Sequence, residues 1–485
     1  MGNVLGHLKP ELIWNYFEEI TRHPRPSKQE EKIAAYIVSF AEQNKLPYRK
    51  DDIGNIIISK PATKGRENAK GIILQSHLDM VCEKNRGVEH DFDNDPINIY
   101  IDGDYVKAKG TTLGADNGIG VAAALAVLAD NSFEHGPIEC LFTLDEETGL
   151  TGASNMTPNF VKGKILLNLD SEEEGALFIG CSGGKNTTAK FTFTKEKASS
   201  GLKFYEVRVQ GLIGGHSGLE IHSGRVNAIK ILTRALYAAV SKFELRLISI
   251  EGGNKHNAIP REAFAKVALP PAMAGDFMRY LKEFNEMVFA ESSTVEKNLV
   301  VDAVESEASD YLMDYATTDN LLNALYAVPH GVIKMSADIP GLVETSTNLA
   351  TIKTEGDKVT VVTSQRSSVA SENLDIVNTV SAAFKLAQAD IAYGDGYPGW
   401  KPNMNSEILG IVVNTYDKLF GKKPELKAIH AGLECGIIGE KNPGLDMISF
   451  GPTMFDVHSP DERLQISSVP NFYKLLTNVI SSIPY

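Results

Sequence analysis

Apolar and polar positions follow two different rhythms along this chain. From Leu8 to Ile20 the apolar residues recur at helical spacing, and Pro24 and Pro26 stop the run. Ser27-Lys28-Gln29-Glu30 has the form of a capping box. It predicts a helix with Ile33, Ile37, Phe40 and Ala41 on one face. Short apolar runs bounded by turns follow, Ile56–Ile58 and Gly71–Ser76, and read as strands; the second leads directly into His77-Leu78-Asp79. Asp102-Gly103 predicts a turn between two short strands. Behind the glycine-rich stretch Gly110–Gly120, the alanine-rich run Val121–Ala129 predicts a buried helix. Pro137–Leu144 is another buried strand, ending in Asp145-Glu146-Glu147, and Lys164–Leu169 another, ending in Asp170.

Near Lys185 the rhythm changes. Phe191–Thr194 and Phe204–Gln210 alternate residue by residue, as half-exposed strands do. Gly214-Gly215-His216-Ser217-Gly218 precedes a predicted helix, Asn227–Val240. Strands are expected at Leu245–Ile250 and Ala263–Leu269, and a long helical region over Ala274–Val300. A helix near Leu321 and strands at Leu349–Lys353 and Val359–Ser364 complete the series. From Tyr397-Pro398-Gly399-Trp400 the first style returns, with a helix over Ser406–Phe420, a strand at Met447–Phe450 and a closing helix. The pattern predicts an α/β protein. One domain, with a mixed sheet flanked by helices, spans residues 1–186 and 398–485 and is split by an inserted α+β domain at 187–397.

The chain's 485 residues require more than one core, and 43% apolar with 23% charged residues is ordinary globular composition. The net charge of −14 argues against nucleic acid or an anionic membrane as main partner. Met1–Gly6 lacks the basic start and apolar core of a secretory signal, and no apolar run approaches the ~20 residues of a membrane span. A soluble, cytoplasmic protein is expected. Cys82, Cys140, Cys181 and Cys435 form no CxxC pair and suggest neither a disulfide framework nor a thiolate metal site.

The candidate chemistry lies at the predicted strand ends. His77, Asp79, Asp116, Glu146, Glu147, Asp170 and His458 form a nitrogen and oxygen set that suits Zn2+, Co2+ or Mn2+. Each alone has an ordinary reading: Asp116 as a turn residue and N-cap, a histidine as a structural hydrogen-bonding residue, a Glu-Glu pair as a solvated turn. Together, at the sheet edge where α/β proteins bind ligands, they suggest a metal centre. His77 and Asp79 are two apart and point the same way from an extended segment, so Asp79 can accept from the His77 ring and fix its tautomer. Glu146 and Glu147, if on a regular strand, cannot both face one point; one could bind metal while the other stays free as a base.

The motifs His77-Leu78-Asp79, Gly114-Ala115-Asp116-Asn117-Gly118, Asp145-Glu146-Glu147-Thr148-Gly149, Asn168-Leu169-Asp170-Ser171-Glu172 and His458-Ser459-Pro460-Asp461-Glu462 resemble those of the di-zinc peptidases and amidohydrolases, the family of carboxypeptidases, aminoacylases and carnosinases. Ser76–Val81, Gly110–Gly120, Gly214–Gly218, Asn257–Glu262 and His430–Gly436 are similar to a bacterial branch that cleaves Xaa-His dipeptides. The resemblance runs from end to end. It implies two Zn2+ per chain, replaceable by Co2+ or Mn2+, with Asp116 shared, His77 and Asp170 on one ion, and Glu147 and His458 on the other. It further implies attack by a metal-bridging hydroxide with Glu146 as general base and Asp79 orienting His77. His216 would stabilise the oxyanion and Arg366 grip the substrate carboxylate, with Asn257 and Gly432 holding substrate backbone. On this resemblance the inserted domain would be a lid, at about 210 residues roughly double a single small one, and a doubled lid could supply His216 within one chain. The implied activity is hydrolysis of dipeptides, Xaa-His favoured and β-alanyl-histidine among them, in a cytoplasmic homodimer with small peptide substrates. An aminotripeptidase, an N-acyl-amino-acid amidohydrolase and a non-catalytic binding protein are the alternatives.

Overall fold

Ile72–His77, Ile138–Thr143 and Ile165–Asn168 are buried at every position, as strands covered on both faces are. In the computed structural model, which describes residues 3–484, they are neighbours in one sheet. Met1 and Gly2, on which part of the N-terminal reading falls, lie outside the described residues. The sheet has eight strands, in the order Tyr48–Lys50, Ile56–Lys60, Ile138–Thr143, Ile72–His77, Ile165–Asn168, Asp446–Ser449, Ala176–Cys181 and Glu425–Ile429. The third to sixth run parallel, so their C-terminal ends share one edge. The helix Ala115–Ala129 is apolar all round and buried nearly throughout, the pattern of a core helix rather than a surface one. It enters from Gly114, whose φ of 70° lies in the left-handed region, and its regular turns begin only after Asp116 and Asn117.

By contacts the chain divides into two compact units. One comprises Met1–Cys181, Trp400–Ala428 and Leu433–Tyr485, the other Ser182–Gly399 and Ile429–Gly432. The second unit has a nine-stranded antiparallel sheet over one apolar core. Its topology is two βαββαβ motifs. The first uses strands Lys203–Gln210, Arg246–Gly252, Ala263–Leu269 and Val300–Glu305 with helices Ala228–Lys242 and Ala274–Ser292. The second uses Gly183–Thr192, Val343–Glu355, Lys358–Ser367 and Asp390–Tyr393 with helices Tyr315–Ala327 and Ala370–Leu386, and the first is inserted between its opening strand and opening helix. A two-residue ladder joins the halves, Glu251 opposite Lys353 and Gly252 opposite Ile352. No helix among the described residues is long and apolar enough to cross a membrane.

Three expectations need correction. The capping box does not form: the helix begins at Glu31, Ser27 Oγ donates to Asp79 Oδ2 at 2.7 Å, and Glu30 Oε1 accepts from the backbone of Lys28 and Asp145 at 2.9 Å. Tertiary partners have taken both side chains. The helix from Ala274 ends at Ser292, and Val300–Glu305 is a strand paired with Lys203–Gln210, in keeping with its β-branched residues. Glu146 and Glu147 stand on a one-turn helix, Glu146–Gly149, and not on a strand, so the alternation argument does not apply to them.

Candidate metal centre

His77 is the last residue of its strand and its ring is buried. Its Nε2 lies 3.0 Å from Asp116 Oδ1 and 3.3 Å from Asp170 Oδ1, and its Nδ1 lies 3.4 Å from Asp79 Oδ1. The second oxygen of Asp116 is 3.0 Å from His458 Nε2, which is also 3.0 Å from Glu147 Oε2. Asp116 therefore belongs to two triads, His77–Asp116–Asp170 and Asp116–Glu147–His458, each with donor atoms within 4.8 Å of one another; His77, Glu146 and Glu147 form a third. Asp79 has a second task besides His77. Its oxygens accept the backbone N–H groups of Glu146 at 3.0 Å and Glu147 at 3.2 Å, holding the turn that presents both glutamates. Burial would raise the Asp79 carboxyl, but His77 and these donors bring it down to about 2.

Two observations test whether this set fits divalent cations. Each imidazole Nε2 has two carboxylates within reach and at most one hydrogen to give, while Glu147 Oε1 and Asp170 Oδ1 are buried without a hydrogen-bond partner. Carboxylates are also in surplus: buried Asp79 and partly buried Asp116, Glu146, Glu147 and Asp170 face two imidazoles. Burial raises Asp170 to about 6 and Glu146 well above the carboxylate range, with neighbouring carboxylates adding to both, and hydrogen bonds to Asp116 and Glu147 raise His458 to about 11. Unpaired buried charge is costly, and a cation on each side of Asp116 would remove both problems. The donors contain no thiolate and suit zinc, cobalt or manganese. The residues fit.

Beneath this layer runs a buried hydrogen-bond chain. Thr143 Oγ and Gln75 Nε2 each donate to Glu434 Oε2 at 2.6 Å, Asn168 Nδ2 donates to Gln75 Oε1, Ser449 Oγ donates to Asn168 Oδ1, and Ser171 lies 2.6 Å from Ser449. Gln75 and Asn168 each precede a candidate ligand by two residues, so the chain ties together the strands that carry His77 and Asp170.

The other named residues lie in the second unit. His216 Nδ1 accepts the backbone N–H groups of Gly218 at 3.2 Å and Leu219 at 3.1 Å. Burial, then Arg366, lowers its pKa, so the ring is neutral with its hydrogen on Nε2, which leaves Nε2 as a donor. Buried Glu296 holds the loop at both ends by accepting from the backbone of Ile213 at 2.8 Å and Val226 at 3.0 Å. Asn257 is adjacent: its carbonyl accepts from Ser217, and Ala258 pairs with His216. Arg366 is buried, with Nη1 donating to the Tyr397 hydroxyl at 2.8 Å and Nε without a hydrogen-bond partner. A Cβ on Gly432 would lie 2.8 Å from the Tyr397 ring, so glycine is needed there. His430 shares a 2.7 Å hydrogen bond with Ser346, the residue opposite Arg366, and burial with the nearby Arg366, His222 and His216 lowers it to about 3. The grouping is cationic and short of acceptors, which suits a carboxylate ligand.

Sequence reasoning overlooked Arg25, Glu434, Glu462, Tyr397 and His430. Glu462, Glu434 and His430 lie inside motifs already singled out, so a signal existed for all three. Arg25 had none beyond its place between two prolines.

Comparison with known proteins bears directly on this geometry. Residues 73–482 match the profile of Peptidase family M20/M25/M40. The chain is 43% identical over 481 residues to the cytosol non-specific dipeptidase of Escherichia coli (strain K12), covering 99% of each chain. The crystal structure of aminoacylhistidine dipeptidase from Vibrio alginolyticus superposes with a TM-score of 0.92 at 43% identity, over 99% of this chain and 98% of that one. Aminopeptidase PepT from Bacillus cereus shares the fold, with a TM-score of 0.58 at 18% identity over 99% of this chain and 100% of that one.

Proposed function

The chain belongs to peptidase family M20/M25/M40 and is a peptidase, and from that premise we propose that it is a dinuclear zinc dipeptidase whose reaction is carried by the cluster around Asp116. The observation that supports this most is that Asp116 gives one oxygen to each of two triads. His77 and Asp170 would hold one Zn2+, Glu147 and His458 the other, and Co2+ or Mn2+ could substitute. Bound there, two such cations would supply Lewis acidity, lowering the pKa of a water and polarising a carbonyl.

The chain's own residues do the rest. Glu146 takes a proton from the attacking water and hands it to the leaving amine, a role that burial suits by raising its proton affinity. Asp79 keeps His77 in one tautomer and holds the Glu146–Glu147 turn. The Nε2 hydrogen of His216 serves the developing oxyanion, Arg366 with Tyr397 the substrate's carboxylate, and Asn257 and Gly432 its backbone.

The substrate class follows from the two relatives at 43% identity, one named for non-specific and one for aminoacylhistidine dipeptidase activity. We take dipeptides as the class and Xaa-His as the favoured members, β-alanyl-histidine included, in a cytoplasmic homodimer. The test is a hydrolysis panel of Ala-His, β-alanyl-His, Ala-Ala, Ala-Ala-Ala and N-acetyl amino acids with zinc-reconstituted protein. Ala-His should be cleaved at least tenfold more efficiently than the tripeptide or the acylated amino acids. Preference for Ala-Ala-Ala would make it a tripeptidase, and preference for the acyl amino acids an amidohydrolase.

A further inference from the structure

Arg25 and Glu462 are each 2% exposed, and neither belongs to the ligand set or the acid–base chemistry. Arg25 Nη1 donates to the carbonyls of Leu78 at 3.0 Å and Asp79 at 2.8 Å, and Nη2 donates to the carbonyl of Gly114. It thus joins the loop that carries His77 and Asp79 to the loop that carries Asp116. Glu462 stands four residues after His458. Its carboxylate accepts four consecutive backbone N–H groups, from Leu113 at 2.7 Å, Gly114 at 2.9 Å, Ala115 at 2.8 Å and Asp116 at 3.3 Å. It thus joins the His458 loop to the same Asp116 loop. The two meet at Gly114, whose carbonyl accepts from Arg25 Nη2 and whose N–H donates to Glu462 Oε2. The glycines fit this pair: a Cβ at Gly114 or Gly118 would lie 2.5 Å or 2.7 Å from Arg25 Nη2. The glycine-rich turn is shaped to admit a guanidinium.

We propose that Arg25 and Glu462 form a charged latch that fixes three ligand-bearing loops relative to one another and so positions Asp116 between its two cations. Both are positioning residues. The latch rests on the reading of the cluster as a metal centre, and the experiment separates the two. No water can replace a lost partner at these burials, so loosening one end lets the Asp116 backbone shift while the four parallel strands stay in place.

Zn2+ and Co2+ affinities are measured by competition with a chromophoric chelator for wild type, Glu462→Gln, Glu462→Asp and Arg25→Lys. Melting curves and amide hydrogen exchange are recorded on the metal-free proteins. Glutamine keeps one acceptor and turns an NH2 group toward backbone donors, so its affinity should fall about 10–100-fold at both sites, the size seen for partners that orient ligands. Arg25→Lys should fall in the same direction, and Glu462→Asp should recover part of the loss. In metal-free Glu462→Gln the amides of Leu113–Asp116 should exchange at least tenfold faster, with those of Ile165–Asn168 unchanged. Affinities within twofold of wild type in either Glu462→Gln or Arg25→Lys would overturn the latch, whatever happens to the melting temperature. Should Glu462→Gln fail to fold, Arg25→Lys alone decides. A wild-type chain that binds no divalent cation would instead overturn the metal centre, and the latch with it.

Discussion

Glu146 and Glu147 are neighbours in sequence with opposite assignments, one a base and one a ligand, and a helical turn rather than a strand presents them. Glu147 Oε2 touches His458 Nε2, whereas no ligand pair across Asp116 includes Glu146. Glu146→Gln removes a proton acceptor and leaves both triads intact. Bound metal should stay at the wild-type ratio and KM within a fewfold, while kcat falls by at least 10²-fold. Metal analysis with steady-state kinetics measures both, and near-normal turnover would take the base role from Glu146. His77 and Asp170 were legible as candidate ligands because polar side chains follow otherwise apolar strands, and Asp116, Glu147 and His458 because they lie in polar or glycine-rich turns. Arg25 and Glu462 were not, since their work is done on backbone groups that a side-chain pattern does not record.

At the level of elements, apolar periodicity located most helices and strands, and it failed where a distant strand paired with the segment, as at Val300–Glu305, or where a side chain had a distant partner. Ser27 and Glu30 have the right spacing for a cap, but Asp79 and the backbone of Asp145 compete for them and prevail. His330 is a similar case, at the junction of the helix Tyr315–Ala327 and the strand Gly331–Met335. Its Nδ1 accepts the Leu349 N–H at 3.3 Å and lies 3.4 Å from Asn227 Nδ2, so the ring is needed neutral. Burial, then Lys230, lowers its pKa to about 4, against 6.5 in an unfolded chain. Between those values the unfolded chain binds more protons. The contribution of neutral His330 is therefore complete above pH 6.5 and is lost as pH falls toward 4. Hydrogen exchange of the second unit should show wild type losing roughly 2 kcal/mol more than His330→Asn between pH 7 and pH 4.5. Equal losses in the two proteins would remove His330 as the cause.

Over the whole molecule, the sequence revealed the α/β class and the order of the polar clusters, because parallel strands place successive C-terminal ends at one edge. The doubling of the inserted domain was legible in its length, but the βαββαβ strand order of each half and the transfer of Ile429–Gly432 to the second unit were not, since strand order depends on pairings between distant residues. The same convergence has a thermodynamic consequence. A chain of net charge −14 brings buried Asp79 together with partly buried Asp116, Glu146, Glu147 and Asp170, and folding must bear their repulsion unless cations enter with them. Unfolding separates the ligands, so a cation that binds only the folded chain stabilises it by RT ln(1 + [L]/Kd), about 2.7 kcal/mol per site at a hundredfold excess over Kd. Exhaustive chelation should therefore lower the melting temperature by several degrees, and zinc or cobalt should restore it in proportion to the logarithm of free cation. Asp116→Ala, which removes the proposed shared ligand and part of the repulsion, should melt at a temperature nearly independent of zinc. A wild-type melting temperature equally indifferent to zinc would mean that the folded chain offers cations no more than the unfolded one does, and the metal centre would have to be abandoned.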